Sequence, residues 1–230
     1  LHVFAEDAKS FLLNSGDQYD IIINAPSNPW MAGVAGVLSR EFYLDCHARL
    51  AEGGIVAQWF HVNNTSDEVV DTIIATFTSV FPSATLWQSS EHDLIMLGAK
   101  STLHLDFKLM DERINSPTVR SSLKRIDIEQ HLTLLAHQLT SSKNTIAIPA
   151  DSTPLNYDDR PVLEGMAQRG FFARGKAENW KIFDERNNAQ GSLLLHSYLQ
   201  KFQVVKEVFA NLSAYHLRYN LLSENQFRSL

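Results

Sequence analysis

The chain has 230 residues, of which 44% are hydrophobic and 20% charged, with 10 glycines and 7 prolines; this composition excludes disordered, collagen-like and loop-dominated chains. The formal net charge of −6 is unevenly spread: residues 1–170 hold 21 acidic and 12 basic side chains, residues 171–230 hold 5 and 8. So acidic a main part opposes phosphate backbones and excludes nucleic acid as an expected partner, while the single cysteine, Cys46, excludes a disulfide framework and a multi-cysteine zinc site.

Leu1 to Ala5 reads as a short strand, and Asp7 stands between it and a short helix from Lys9 to Asn14. A carboxylate there can cap the helix or accept a hydrogen bond from an exocyclic amine of a ligand. Tyr19 to Ile23 is apolar and β-branched, which predicts a parallel strand buried on both faces. Asn24 to Trp30 breaks that strand with two prolines, two asparagines and a tryptophan, a rigid polar loop with an aromatic platform. Ser39 to Leu50 has helical periodicity with Ser39 as N-cap, Gly53-Gly54 ends it, and Ile55 to Val62 is the next strand. Cys46 on that helix reads as packing.

Thr65-Ser66-Asp67 caps a helix from Glu68 to Val80, and two strands follow at Ala84 to Trp87 and Asp93 to Leu97. The order is α/β: the carboxyl-terminal part of a doubly wound, Rossmann-like sheet of the S-adenosylmethionine methyltransferase type, whose last two strands are antiparallel. Beyond Lys100 the text changes to a mostly helical tail. Met110 to Leu139 reads as amphipathic helix, Thr145 to Ile148 as a short strand, and Gly191 to Leu222 as one or two helices. Three parts are expected: a sheet domain at 1–100, a helical extension at 101–170, and a tail at 171–230.

Ligands of open α/β sheets bind at the carboxyl ends of the strands, so Asp7-Ala8, Asn24 to Trp30 and Gln58 to Asn63 are the informative positions. The histidines show no metal-ligand rhythm, and no metal site is expected. No apolar run reaches the ~18 residues of a membrane span, and a cytoplasmic location is expected.

Several of these runs together resemble the spermidine synthase (aminopropyltransferase) family: Asp7-Ala8 with Phe11-Leu12, Tyr19 to Ile23, Ser27-Asn28-Pro29, Leu38 to Tyr43 and Gly53-Gly54-Ile55. Pro26 to Trp30 with Ala32-Gly33-Val34, and later Asp158 to Pro161 with Leu163-Glu164, resemble in particular its members fused to membrane segments. The resemblance implies a nucleoside-binding domain taking decarboxylated S-adenosylmethionine, or S-adenosylmethionine itself, and an amine. Asp7, Ala8, Asn24 and Pro26 would lie on the nucleoside side, and Asn28, Trp30 and Gln58 on the acceptor side. It also admits a homodimer and, in the parent protein, a membrane segment that would put this domain on the cytoplasmic face.

Two departures accompany the likeness. The family's D-x-x-D-P loop supplies carboxylates that hold and deprotonate the amine, and the aligned positions here are Ala25 and Asn28. An amide is no general base, so no catalytic residue is assigned and activity is expected to be impaired. The family's glycine-rich turn and its ribose-binding acid would precede Leu1, so a fragment of a longer protein is expected. Two alternatives stay open: a non-catalytic interaction domain of the same fold, and a methyltransferase holding its target amine on Ser27 to Trp30.

Overall fold

The computed structural model describes residues 2–101, 105–141, 153–187, 193–219 and 221. In chain order these form α1 (Ala8–Asn14), β1 (Tyr19–Asn24), α2 (Arg40–Arg49), β2 (Leu50–His61), α3 (Asp67–Thr78), β3 (Thr85–Gln88) and β4 (Asp93–Ala99). Six helices follow: α4 (Phe107–Ile114), α5 (Pro117–Lys124), α6 (His131–Leu135), α7 (Val162–Phe172), α8 (Leu194–Lys201) and α9 (Lys206–Arg218). Short 3-10 turns lie at Val34–Leu38, Asn179–Phe183 and Glu185–Asn187.

The strands make one mixed sheet in the order β1-β2-β4-β3, with β1 parallel to β2 and the other two pairings antiparallel. This is a mixed α/β architecture with the antiparallel ending expected, and it is consistent with a Rossmann-like fold. Alternation along the strands sorts the side chains to two faces. Val56, Gln58, Phe60, Leu86, Leu94 and Met96 are buried in the layer shared with α2 and α3, where Tyr43 and Phe77 meet edge to face with centroids 5.0 Å apart. Each such apolar side chain contributes about 1.5–3 kcal/mol on burial. Cys46 lies in this layer, and burial, reinforced by the Asp45 charge, pushes its thiol up to about 12.

The opposite face is only partly covered. Ile55, Ala57, Trp59, Ile95 and Leu97 are half-buried, and Ile21 and Ile23 of β1 are 63% and 72% exposed. The expectation that β1 is buried on both faces is therefore corrected: among the described residues β1 is an edge strand. Residues 2–5, expected as a strand, form none and pair with nothing described. Their β-branched and aromatic content suits a strand, but a strand also needs a ladder partner.

Other boundaries shifted for local reasons. β2 starts at Leu50, five residues earlier than expected, and its register with β1 slips between Tyr19 and Ile21, where Gly53 takes a positive φ of 73°. The helical run after Lys100 is three short helices because Pro117 starts a new one and Asp127 has a positive φ of 58°. Two helices, α8 and α9, occupy the 191–222 region. The strand expected at 145–148 lies outside the described residues. A second apolar cluster joins Phe107, Leu132, Leu135, Leu195, Tyr198 and Leu212, while Leu163, Ala167 and Trp180 pack into the cluster of the sheet.

Candidate functional site

β1 and β2 run in parallel and pair Asn24 with Gln58, so both strands deliver a polar side chain at the same level near their carboxyl ends. Asn24 Nδ2 donates to Gln58 Oε1 (2.6 Å) and to the Val37 carbonyl (2.7 Å), and the Tyr43 hydroxyl donates to the same Gln58 oxygen (3.0 Å). Gln58 Nε2 donates to the Trp59 carbonyl (2.6 Å). Gln58 is wholly buried and its groups are occupied, so it holds Asn24 in place from beneath rather than facing an open space.

From Asn24 the chain enters a fixed turn. Asn28 accepts from the Met31 N–H through its carbonyl (3.0 Å), with Pro29 at the position of a turn that its φ suits. Gly33 has φ 86°, a left-handed value that a Cβ disfavours, and leads into the Val34–Leu38 turn. Trp30 stacks on Phe171 of α7, with centroids 4.7 Å apart and 27° between the planes.

The segment before α7 locks this loop from outside. Asn156, wholly buried, donates through Nδ2 to the carbonyls of Ala35 (2.8 Å) and Leu38 (3.2 Å), and its Oδ1 accepts from the Leu163 N–H (3.3 Å). Its backbone carbonyl accepts from Arg40 N–H (2.8 Å), and its N–H donates to Thr76 Oγ1 (3.0 Å). Glu164 accepts from the Gly33 N–H (3.4 Å), and Asp158 pairs with Lys9 of α1. The two sequence motifs, at 26–34 and 156–164, thus form one structure.

A cavity of about 350 Å³ opens beside β1, lined among others by Glu6, Ala8, Phe11, Ile21, Ile23 and Asn24. Ala8 and Asn24, expected on the nucleoside side, are brought together there. Pro26, Asn28 and Trp30 are half-buried along the adjoining loop. Asp7 is the N-cap of α1: its carboxylate accepts from the Ser10 N–H (2.8 Å), and that bond holds its carboxyl below the usual range. Of the two readings of Asp7, the cap is the one observed.

Sequence reasoning missed Asn156, Glu164 and Phe171 as partners of the loop; the 156–164 motif was visible, its contact was not. It counted His61 within the Gln58 to Asn63 strand end and among histidines without a metal-ligand rhythm, but missed its pairing with Asp93, whose Oδ1 lies 2.9 Å from His61 Nδ1 at the end of β2. Among the described residues no group of three His, Cys, Asp or Glu could hold a metal ion, and no helix is long and apolar enough to cross a membrane.

No family model matches the chain. Among curated proteins, a polyamine aminopropyltransferase of Lachnospira eligens is 36% identical over 81 residues, 35% of this chain and 28% of that protein. One of Clostridium beijerinckii is 38% identical over 56 residues, 24% of this chain and 19% of that protein. The matched part spans less than a third of either relative's length. These similarities support a relationship to the spermidine synthase-like proteins.

Proposed function

We propose that the chain is the acceptor-side part of a spermidine synthase-like transferase, one that moves an alkyl group from an S-adenosylmethionine-type nucleoside, decarboxylated in the aminopropyl case, to an amine. The observation that carries the reading is the cavity along β1, from Tyr19 to Asn24, which Ala8 and Asn24 both line; the prolyl loop follows Asn24 in the chain. Carboxyl ends of parallel strands are where open α/β sheets take their ligands. The polyamine aminopropyltransferase relatives supply the reaction class. In this reading Asn24 and Ala8 border the nucleoside, Pro26 stiffens the edge between the two ligands, and Asn28 and Trp30 border the amine. Gln58 acts through Asn24.

Isothermal titration of the protein with 5′-methylthioadenosine, the thioether left after aminopropyl transfer, tests this. Saturable heat at or below millimolar ligand is expected. Its absence would remove the reading.

One observation favours a second reading, a non-catalytic interaction domain of the same fold. Ala25 and Asn28 put no carboxylate in the loop, so an amine there meets amides and an aromatic ring only. Nucleoside binding without any transfer to amines would select it.

A further inference from the structure

A cavity of about 420 Å³ lies where α4, α5 and α6 meet the connection between α8 and α9, and it shares no lining residue with the cavity beside β1. Its volume is within the range of small-molecule sites. Part of its wall is aliphatic: Ile114 at the end of α4, Leu132 of α6, Val204 and Val205 before α9, and Val208 within it.

The polar part of the wall holds acceptors without donors. His131 Nδ1 stands 3.1 Å from Asp111 Oδ1, and the Tyr198 hydroxyl donates to Asp111 Oδ2 (3.2 Å). A carboxylate at that distance favours the imidazole proton on Nδ1 and leaves Nε2 as an acceptor. Burial lowers the pKa of this imidazole against the opposing pull of Asp111, so the ring is neutral at neutral pH. Gln130 and His131 both line the cavity, yet among the described residues Gln130 Oε1 and His131 Nε2, both shut off from solvent, have no hydrogen-bond partner. A buried acceptor without a donor costs about as much as a lost hydrogen bond, and a ligand N–H removes that cost.

Two side chains of opposite charge complete the lining: Glu129, directly before Gln130, and Arg120 of α5, both exposed. An ammonium group has three N–H donors, which match Gln130 Oε1, His131 Nε2 and the Glu129 carboxylate. The Arg120 guanidinium presents a planar fork that suits a carboxylate. An amine alone would meet Arg120 as a like charge, and a carboxylate alone would leave both orphaned acceptors without donors. We propose that this cavity binds a zwitterion of the amino-acid class with a branched aliphatic side chain. Its ammonium lies on Glu129, Gln130 and His131, its carboxylate on Arg120, and its side chain on Val204 and Val208. This site does not depend on the transferase reading, since none of its residues lines the cavity beside β1.

Isothermal titration of the full chain with L-leucine, 3-methylbutylamine and 4-methylpentanoate tests this, together with the His131 ring resonances in NMR and the thermal midpoint of each variant. The second compound is leucine without its carboxylate, and the third is leucine without its ammonium. L-Leucine should bind saturably at or below millimolar concentration and shift the His131 Nε2 resonance. The amine and the acid each lack one charged partner and should bind about tenfold more weakly or worse. Arg120→Met should weaken leucine about tenfold without weakening the amine, and Glu129→Gln should weaken leucine and the amine without weakening the acid. Both positions are exposed, so both variants should keep the wild-type midpoint. Absence of both heat and a His131 shift with millimolar L-leucine overturns the proposal. So does an amine or an acid that binds as tightly as leucine, leucine affinity unchanged in folded Arg120→Met, or saturable heat that leaves His131 unmoved. Competition between leucine and methylthioadenosine overturns it as well, because it puts leucine in the cavity beside β1.

Discussion

Trp30 and Phe171 lie ring on ring, 4.7 Å between centroids, although 141 positions separate them in the chain. That stack is the outermost of three ties between the prolyl loop and the segment around α7; the others are the Glu164 bond to Gly33 and the Asn156 bonds to Ala35 and Leu38. A loop built from two prolines is stiff within itself, and these ties fix it to the sheet.

Phe171→Ala removes the platform beneath Trp30. Stacked aromatic pairs contribute about 0.5–1.5 kcal/mol beyond their buried area, so global stability should fall by little more than that. The local effect should be larger. Limited proteolysis is expected to cut within residues 26–34 faster than in the wild type, and amine affinity should drop several-fold. An unchanged cleavage pattern would show that Asn156 and Glu164 suffice.

Asn156→Ala is expected to be far more damaging. It strips the donor from two carbonyls and the acceptor from the Leu163 N–H at a fully buried position. Unpaired buried groups cost about 1–3 kcal/mol each, so a loss of roughly 3 kcal/mol or more in denaturant unfolding should follow. Asn156→Asp keeps the acceptor for Leu163 but turns an oxygen toward the two carbonyls, and should be no better.

These ties also mark where the sequence stops being readable. Helix caps and strands were legible because they depend on near neighbours: Asp7 and Ser39 cap α1 and α2, and β-branched runs make β1 and β2. Burial was not legible, since Ile21 and Ile23 have the same text whether or not a strand lies beside them. Asn156 sits in a polar run that periodicity treats as surface, and only its hydrogen bonds across more than 100 residues make it a core residue. Ala8 and Asn24 were singled out because strand ends and ligand sites coincide as a rule, and both line the cavity beside β1. The pairing of His61 with Asp93 escaped because it is set by β2–β4 register, which a single strand does not carry.

The protein should lose stability in mild acid through His216. Burial, then the nearby His137 and Arg186, depress the His216 imidazole from 6.5 to about 3, against a smaller opposing pull from the Thr133 backbone. His137 is lowered as well, chiefly by burial. The unfolded chain takes up these protons near pH 6.5 and the folded chain does not, so the unfolded state binds more protons between pH 6.5 and about 3. The stability is fully present above pH 6.5 and declines as the pH falls toward 3. His216→Leu should lose about 2–3 kcal/mol less than the wild type between pH 7 and 4.5, by denaturant unfolding at both values. Parallel curves would assign the acid sensitivity elsewhere.

Adding carboxylates to the loop separates amine binding from proton transfer. Ala25 is exposed and Asn28 half-buried with its backbone already in the turn, so Ala25→Asp with Asn28→Asp should fold with a midpoint within a few degrees of the wild type. Two new negative charges beside Trp30 attract a dicationic amine, each by about 1 kcal/mol or less at solvent-exposed positions. KM for a diamine should therefore fall about tenfold, more at low salt than at high salt. If the new acids only hold the amine, kcat changes little. If kcat instead rises by orders of magnitude, the loop carboxylates act as the base, and the wild type lacked one. Steady-state transfer to a diamine, measured in the wild type and in the loop variant, distinguishes the two.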